Sequence, residues 1–166
     1  MTDPFLLAKA QILVSLLRER KLLVAAAESC TGGLVACAIT DVAGASEVFD
    51  RGFVTYSNAA KIEMLGVPAE TLAAHGAVSA EVARAMALGA LAHSNADIAV
   101  AVTGIAGPGG GTAEKPVGLV HFACARKGAG VDHFERRFGA LTREAIREAS
   151  VFQALDMLTN AAQRRP

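Results

Sequence analysis

The sequence predicts one α/β domain over residues 1–166, a three-layer α/β/α sandwich around a mixed, mainly parallel sheet. Three observations carry this expectation. The runs 22–27 and 98–102 are short and continuously apolar, as strands buried on both faces are. Segments with helical spacing of apolar residues separate the strand candidates, the alternation that produces parallel sheets. Lys127-Gly128-Ala129-Gly130 then joins the stretches 117–125 and 131–138 as a β-hairpin, which makes the sheet mixed.

Each element has its own signal. Asp3 and Pro4 are the N-cap and first position of a helix to about Arg20, with Phe5, Ile12, Leu13, Leu16 and Leu17 facing inward. The strand 22–27 follows, then a helix from Leu34 to about Val42, closed by Gly44. The segment 48–56 mixes β-branched and aromatic residues, a strand. Ser57 caps a short helix that ends at Gly66, and residues 68–74 form a second short turn or helix before Gly76. Ser79 caps a longer helix to about Ser94, with Val82, Met86 and Leu88-Gly89 inward. After the strand 98–102 and the hairpin, Thr142 caps the last helix. Its stripe is Val151, Leu155, Leu158 and Ala162.

Composition removes several classes of function. Lys+Arg and Asp+Glu each number 16, so the chain lacks the basic excess of a general nucleic-acid binder. Three cysteines, Cys30, Cys37 and Cys124, show no Cys-x-x-Cys spacing, which argues against a disulfide framework or a zinc site and for a reducing cytoplasm. Asp3, Pro4 and Lys9 interrupt any signal-peptide pattern, and no apolar run approaches the ~20 residues that span a bilayer. No ligand cluster with metal spacing exists, so neither a metal nor a redox cofactor is expected.

The chemistry concentrates in three polar islands. Glu28-Ser29-Cys30-Thr31-Gly32-Gly33 lies between two apolar runs, a strand end turning into a helix start. Such a turn aims backbone N–H groups and the helix dipole at one spot, and it places the Ser29 hydroxyl there. A serine nucleophile needs a base. The four histidines, His75, His93, His121 and His133, lie in no site-like context, so a Ser-His-Asp triad is poorly supported. Lys61, four residues after Ser57, sits early in a helix that begins at a strand end; burial would lower its pKa enough to let it accept a proton. Tyr56 is the only tyrosine and shares that strand end, where its hydroxyl is placed to relay a proton or to orient Lys61.

The third island is Thr103-Gly104, leading into Gly107-Pro108-Gly109-Gly110-Gly111-Thr112. It is neither a Walker A loop nor a GxGxxG fingerprint, and a flexible crossover would look the same. As a ligand loop it would approach an anion closely, with Lys115 beside it. Cys30 is a rival nucleophile, although small cysteines at such places are more often packing residues. Arg136, Arg137 and Arg147 read as solvated charges. Arg143, next to the Thr142 cap, is the arginine expected to meet a ligand.

On these residues the chain resembles the CinA C-terminal domain family, the nicotinamide-nucleotide amidohydrolases or NMN deamidases. The matching segments are Ala27-Glu28-Ser29-Cys30-Thr31-Gly32-Gly33, Tyr56-Ser57-Asn58 with Lys61 and Leu65-Gly66-Val67, and Gly76-Ala77-Val78-Ser79. Thr103 to Gly110, Glu114-Lys115-Pro116-Val117-Gly118, Phe138-Gly139 and Arg143-x-x-x-Arg147 complete the set, which covers nearly the whole chain. The resemblance implies an α/β/α sandwich that hydrolyses the carboxamide of nicotinamide mononucleotide to nicotinate mononucleotide and ammonia in pyridine nucleotide salvage. It implies Ser29, Tyr56 and Lys61 as catalytic residues. Thr31, Gly32, Gly33, Asn58, Thr103, Gly104, Gly107, Gly109, Gly110, Lys115 and Arg143 are then expected to bind substrate. Where Thr142 stands, the family pattern carries an aspartate. The pyrophosphatase-like domain of larger members has no room in 166 residues.

The expected partner is a small-molecule nucleotide, with no nucleic acid and no membrane, and the chain is expected to form a homo-oligomer, a dimer first. Backbone N–H groups of 30–33 or Gly104 would hold the oxyanion. Two alternatives stand beside this. One is a nucleotide-binding module that has lost catalysis and acts through a protein partner; such a module would not need the Ser29, Tyr56 and Lys61 set. The other is an amidase for a different small amide, separable by a substrate panel.

Overall fold

The computed structural model describes residues 3–164. The helices are α1 (Pro4–Arg20), α2 (Leu34–Thr40), α3 (Asn58–Leu65), α4 (Ala69–His75), α5 (Ala80–Ala92) and α6 (Arg143–Gln163). The strands are β1 (Val24–Glu28), β2 (Phe49–Val54), β3 (Ile98–Gly104), β4 (Leu119–Arg126) and β5 (Gly130–Arg137). One 3₁₀ turn, Ala45–Glu47, leads into β2. The strands come in the expected order, and residues 69–75, expected as a turn or a helix, form the helix α4.

The sheet order is β2-β1-β3-β4-β5. β1 pairs in parallel with β2 and β3, and the antiparallel pairs β3–β4 and β4–β5 complete the sheet. Four of the five strands therefore run the same way, and only β4 is reversed. The sheet is mixed, with a parallel core, as its sequence implied.

Alternation along the strands divides the interior into two apolar layers. Val24, Ala26, Val100, Val102 and Phe122 face α1, α2 and α6. Ala25, Ala27, Ala99, Ala101 and Ala123 face α5 and the Leu65–Val67 corner of α3. With Ala125, six alanines on that second face let α5 lie close to the sheet, which is why so alanine-rich a chain packs well.

The caps were legible. Asp3 accepts from the N–H of Phe5 at 2.7 Å, Ser57 from Ala60 at 3.0 Å, Ser79 from Val82 at 3.2 Å and Thr142 from Ala145 at 3.2 Å. Thr142 thus acts as the N-cap of α6. The inward face of α1 was misread by one position. Leu6, Ala10, Leu13, Val14 and Leu17 are buried, whereas Phe5 is 77% exposed and Ile12 64%. Ala10 carries part of the buried stripe. On α5, Leu88 is likewise half exposed beside the buried Gly89. Among the described residues no helix is long and apolar enough to cross a membrane.

Candidate active site

Central strands β1 and β3 end side by side, and the polar islands gather at that end, where open α/β sheets hold ligands. Ser29 is the first residue past β1, and its N–H continues the ladder to the Val102 carbonyl at 2.9 Å. The chain then reverses through Gly32 and Gly33, at φ +59° and +98°, a left-handed pair that suits glycine. Gly32 N–H returns to the Ser29 carbonyl at 3.1 Å, and Leu34 N–H to Thr31 at 3.2 Å.

Two charged side chains grip this turn. Buried Glu28 accepts from Gly33 and Val35 at 3.0 Å each and from Ala36 at 2.9 Å, so a carboxylate saturates the orphan N–H groups that open α2. Arg147, reaching from α6, donates to the Cys30 carbonyl at 3.1 Å and the Thr31 carbonyl at 3.0 Å. Arg147 is therefore not the solvated charge its sequence context implied. A Cβ at Gly32 would lie 3.4 Å from the Arg147 guanidinium, close to an ordinary contact, so the positive φ and not crowding is what suits glycine there.

Lys61 lies in the first turn of α3 but points inward and is only 1% exposed. Its Nζ donates to the Thr55 carbonyl at 2.7 Å and lies 3.0 Å from Ser29 Oγ. Burial lowers its pKa below the ordinary lysine value, partly opposed by the neighbouring Cys30. Cys30 itself is buried, and desolvation pushes its thiol up to about 12. A thiol that holds its proton so firmly is a poor nucleophile at neutral pH.

Tyr56, 62% exposed, stands at the mouth. Its hydroxyl accepts from Arg143 at 3.0 Å, and Arg143 also donates to the Gly107 carbonyl at 2.7 Å. Tyr56, Arg143 and the glycine loop thus meet, and the phenol is paired with the arginine and not with Lys61 as expected. Lys115 does not face open solvent either: its Nζ donates to the His75 carbonyl at 2.6 Å, tying the loop to the end of α4.

The remaining expected binders divide. Gly109 and Gly110 are exposed, with open space beside Gly109, and Asn58 is exposed at the start of α3. Gly107, at φ +73°, packs so tightly that a Cβ would lie 2.5 Å from Val117. Gly104 has no room for a Cβ against Val120 and the Leu119 carbonyl. Thr103 donates from its hydroxyl to the Ala77 carbonyl at 2.8 Å and so anchors the segment before α5. Thr31 Oγ1 is buried without a hydrogen-bond partner among the described residues.

Glu28 and Arg147 stand in the segments named above, but sequence reasoning gave neither a role at the site. Glu28 had a usable signal, an acidic residue just ahead of a helix start. Arg147 lies 117 residues from Cys30, and no local pattern connects them. His121 and His133 pair with each other at 2.9 Å on the α5 face, apart from Ser29. Among the described residues no group of three or more His, Cys, Asp or Glu is arranged to hold a metal ion.

Comparison with known proteins shows the family. The chain is 51% identical over 159 residues to the nicotinamide-nucleotide amidohydrolase PncC of Escherichia coli K12, covering 95% of each chain. A crystal structure of the competence/damage inducible protein CihA from Agrobacterium tumefaciens superposes with a TM-score of 0.96 at 52% identity, covering 99% of both chains. Other relatives are longer. The chain is 55% identical over 148 residues to a competence-damage inducible protein of Caldicellulosiruptor bescii, a match covering 89% of this chain but 36% of that protein. The family model of the CinA C-terminal domain matches residues 7–162, and the chain belongs to that family.

Proposed function

We propose that the chain is a nicotinamide-nucleotide amidohydrolase that uses Ser29 as nucleophile and Lys61 as its base. The observation that carries this reading is a buried amine 3.0 Å from a serine hydroxyl at the carboxyl end of the central strands. Relatives named nicotinamide-nucleotide amidohydrolase support the substrate. A binding module would have no use for a lysine held under water-excluding side chains, because that burial costs stability. For a base it is an advantage, since it favours the neutral amine.

Neutral Lys61 takes the proton of Ser29 Oγ as that oxygen bonds to the carboxamide carbon. The carbonyl π electrons move to oxygen, where backbone N–H groups of the turn stabilise the charge. Collapse breaks the C–N bond, and Lys61 returns its proton to the departing nitrogen, releasing ammonia. Water then adds to the Ser29 ester, giving its proton to Lys61, which hands it back to Oγ as the carboxylate leaves. Lys61 serves both half-reactions because it is the group within hydrogen-bond distance of Oγ. Arg143, the N–H groups of the 107–112 loop and the Tyr56 hydroxyl hold the phosphate side of the nucleotide. Lys115 supports that loop through His75.

The test is ammonia release from nicotinamide mononucleotide by the wild type and by Ser29→Ala. Turnover that disappears in the variant, with nucleotide binding kept, supports the reading. Absence of ammonia from the wild type, or its survival in Ser29→Ala, overturns it.

A further inference from the structure

An accounting of the backbone groups between β1 and α2 leaves a small remainder. Ser29 N–H is on Val102, Gly32 N–H on Ser29, Gly33 N–H on Glu28 and Leu34 N–H on Thr31. The carbonyls of Cys30 and Thr31 are on Arg147. The N–H groups of Cys30 and Thr31 have no acceptor on another residue among the described residues. They directly follow Ser29 in the chain.

The direction of one of them follows from the sheet. α6 packs against α1, α2 and β3 on one face, whereas α3, which carries Lys61, packs against α5 on the other. Arg147 therefore pulls the Cys30 carbonyl towards the α6 face. In a trans peptide the next N–H points opposite to that carbonyl. Thr31 N–H is turned away from α6, towards the side on which Ser29 Oγ meets Lys61.

We infer that Arg147 is a positioning residue, which holds the Cys30–Thr31 peptide so that the Thr31 N–H serves as oxyanion donor to the group attacked by Ser29. The inference rests on the reading that Ser29 is the nucleophile. A guanidinium suits the task because its planar fork reaches two adjacent carbonyls at once, which a lysine does not. Glu28 holds the far side of the same turn through three N–H bonds, so the peptide at 30–31 is fixed at both ends. Preorganisation of this kind acts on the transition state and leaves ground-state binding almost untouched.

The experiment compares wild type with Arg147→Gln and Arg147→Lys, both checked for fold by circular dichroism and melting. Two readouts are taken: kcat and KM for the mononucleotide, and the rate at which a sulfonyl fluoride labels Ser29. Sulfonyl transfer also develops oxygen charge, and it does not depend on the amide substrate. The expected result is a kcat fall of about 10- to 100-fold in Arg147→Gln, with KM changed less than about threefold and labelling slowed in parallel. Arg147→Lys should fall between the two. Added guanidinium ion should recover part of the labelling rate in a folded Arg147→Ala. A KM increase with kcat unchanged would make Arg147 a substrate contact and overturn the proposal, as would labelling at the wild-type rate. If Arg147→Gln does not fold, Arg147→Lys decides by the same two measures. A wild type that labels at Ser29 but releases no ammonia sinks the amidohydrolase reading alone, and the labelling comparison still judges Arg147. A wild type that takes no label at Ser29 overturns the positioning role.

Discussion

Tyr56 accepts a hydrogen bond from Arg143 at 3.0 Å across 87 residues of sequence, and the same guanidinium holds the Gly107 carbonyl. One side chain thus ties the end of β2, the glycine loop and the start of α6. Tyr56→Phe removes an acceptor at the mouth and leaves the Ser29–Lys61 pair in place. The expected outcome is a KM several-fold higher with kcat within about threefold of wild type, and little further effect when combined with Arg143→Ala. A kcat loss beyond about 100-fold would instead make the phenol a proton relay.

The proposed function gives Arg143, which donates to Tyr56 and to the Gly107 carbonyl, the task of holding the phosphate. Arg143→Ala should weaken the phosphorylated substrate by about 1.5–3 kcal/mol, one charged hydrogen bond, and leave the riboside almost unchanged. Competition binding with nicotinate mononucleotide and its riboside reads this directly. Equal losses would show that Arg143 only braces the Gly107 loop.

Lys61 must be neutral to accept the serine proton. Burial lowers its pKa, so activity should rise with pH through that lowered value and then level off. The arm belongs to Lys61 if it vanishes in Lys61→Met. Lys61→Arg keeps charge but holds its proton above pH ~12, and it should lose nearly as much activity as Lys61→Ala. A flat profile from pH ~6 to ~9, or an active Lys61→Arg, would reduce Lys61 to an electrostatic contact.

Most of the fold could be read from local chemistry. The caps at Asp3, Ser57, Ser79 and Thr142, and the apolar runs that became β1 and β3, need nothing beyond neighbours in sequence. The Ser29–Lys61 pair was legible for a similar reason: each residue sits at the junction of a strand end and a helix start. What escaped depended on partners far along the chain. Arg147 looked solvated because the carbonyls it holds lie beyond any local window. Lys115 looked free because its acceptor is the backbone of His75. The stripe of α1 slipped by one because Phe5 and Ile12 outweigh Ala10 in hydrophobicity, while packing against α6 admits the smaller residue.

His121 and His133 give the fold a pH dependence separate from catalysis. Their rings pair at 2.9 Å beneath α5, facing Glu81 and Arg84 of α5, Lys115 of the loop and Glu135 of β5. His75 of α4 joins the cluster through Glu81. Burial lowers both pKa values, helped by His133 for His121 and by Arg84 for His133. With folded values below the ordinary 6.5, the unfolded chain binds more protons once pH falls below that point. Stability is therefore full above pH ~6.5 and declines as pH falls towards the folded values. Glu81 and Glu135 are held below 4.5 and act only lower, Glu81 first by its own N–H and Glu135 by Arg137. Melting temperature should drop between pH ~7.5 and ~5, and His121→Gln with His133→Gln should flatten the drop. An equally steep drop in the double variant would assign it elsewhere.

Gly89 connects stability to the site. In the interior of α5 its replacement by alanine should help by roughly 1 kcal/mol on helix propensity alone. Packing reverses the sign, because a Cβ at Gly89 would lie 2.0 Å from the Leu65 carbonyl oxygen and 2.9 Å from its carbon. Backbone cannot rotate away as a side chain can, so α3 must move as a unit. Overpacking of this kind costs about 1–3 kcal/mol, and Gly89→Ala should melt several degrees lower. Leu65 ends the helix whose first turn carries Lys61, so the displacement should also disturb the 3.0 Å contact with Ser29. Activity should then fall by more than the unfolded fraction explains, since a misplacement near 1 Å costs up to about 100-fold. Unchanged melting with full activity would mean that α5 and α3 separate freely, and that their contact at Gly89 does not set the position of Lys61.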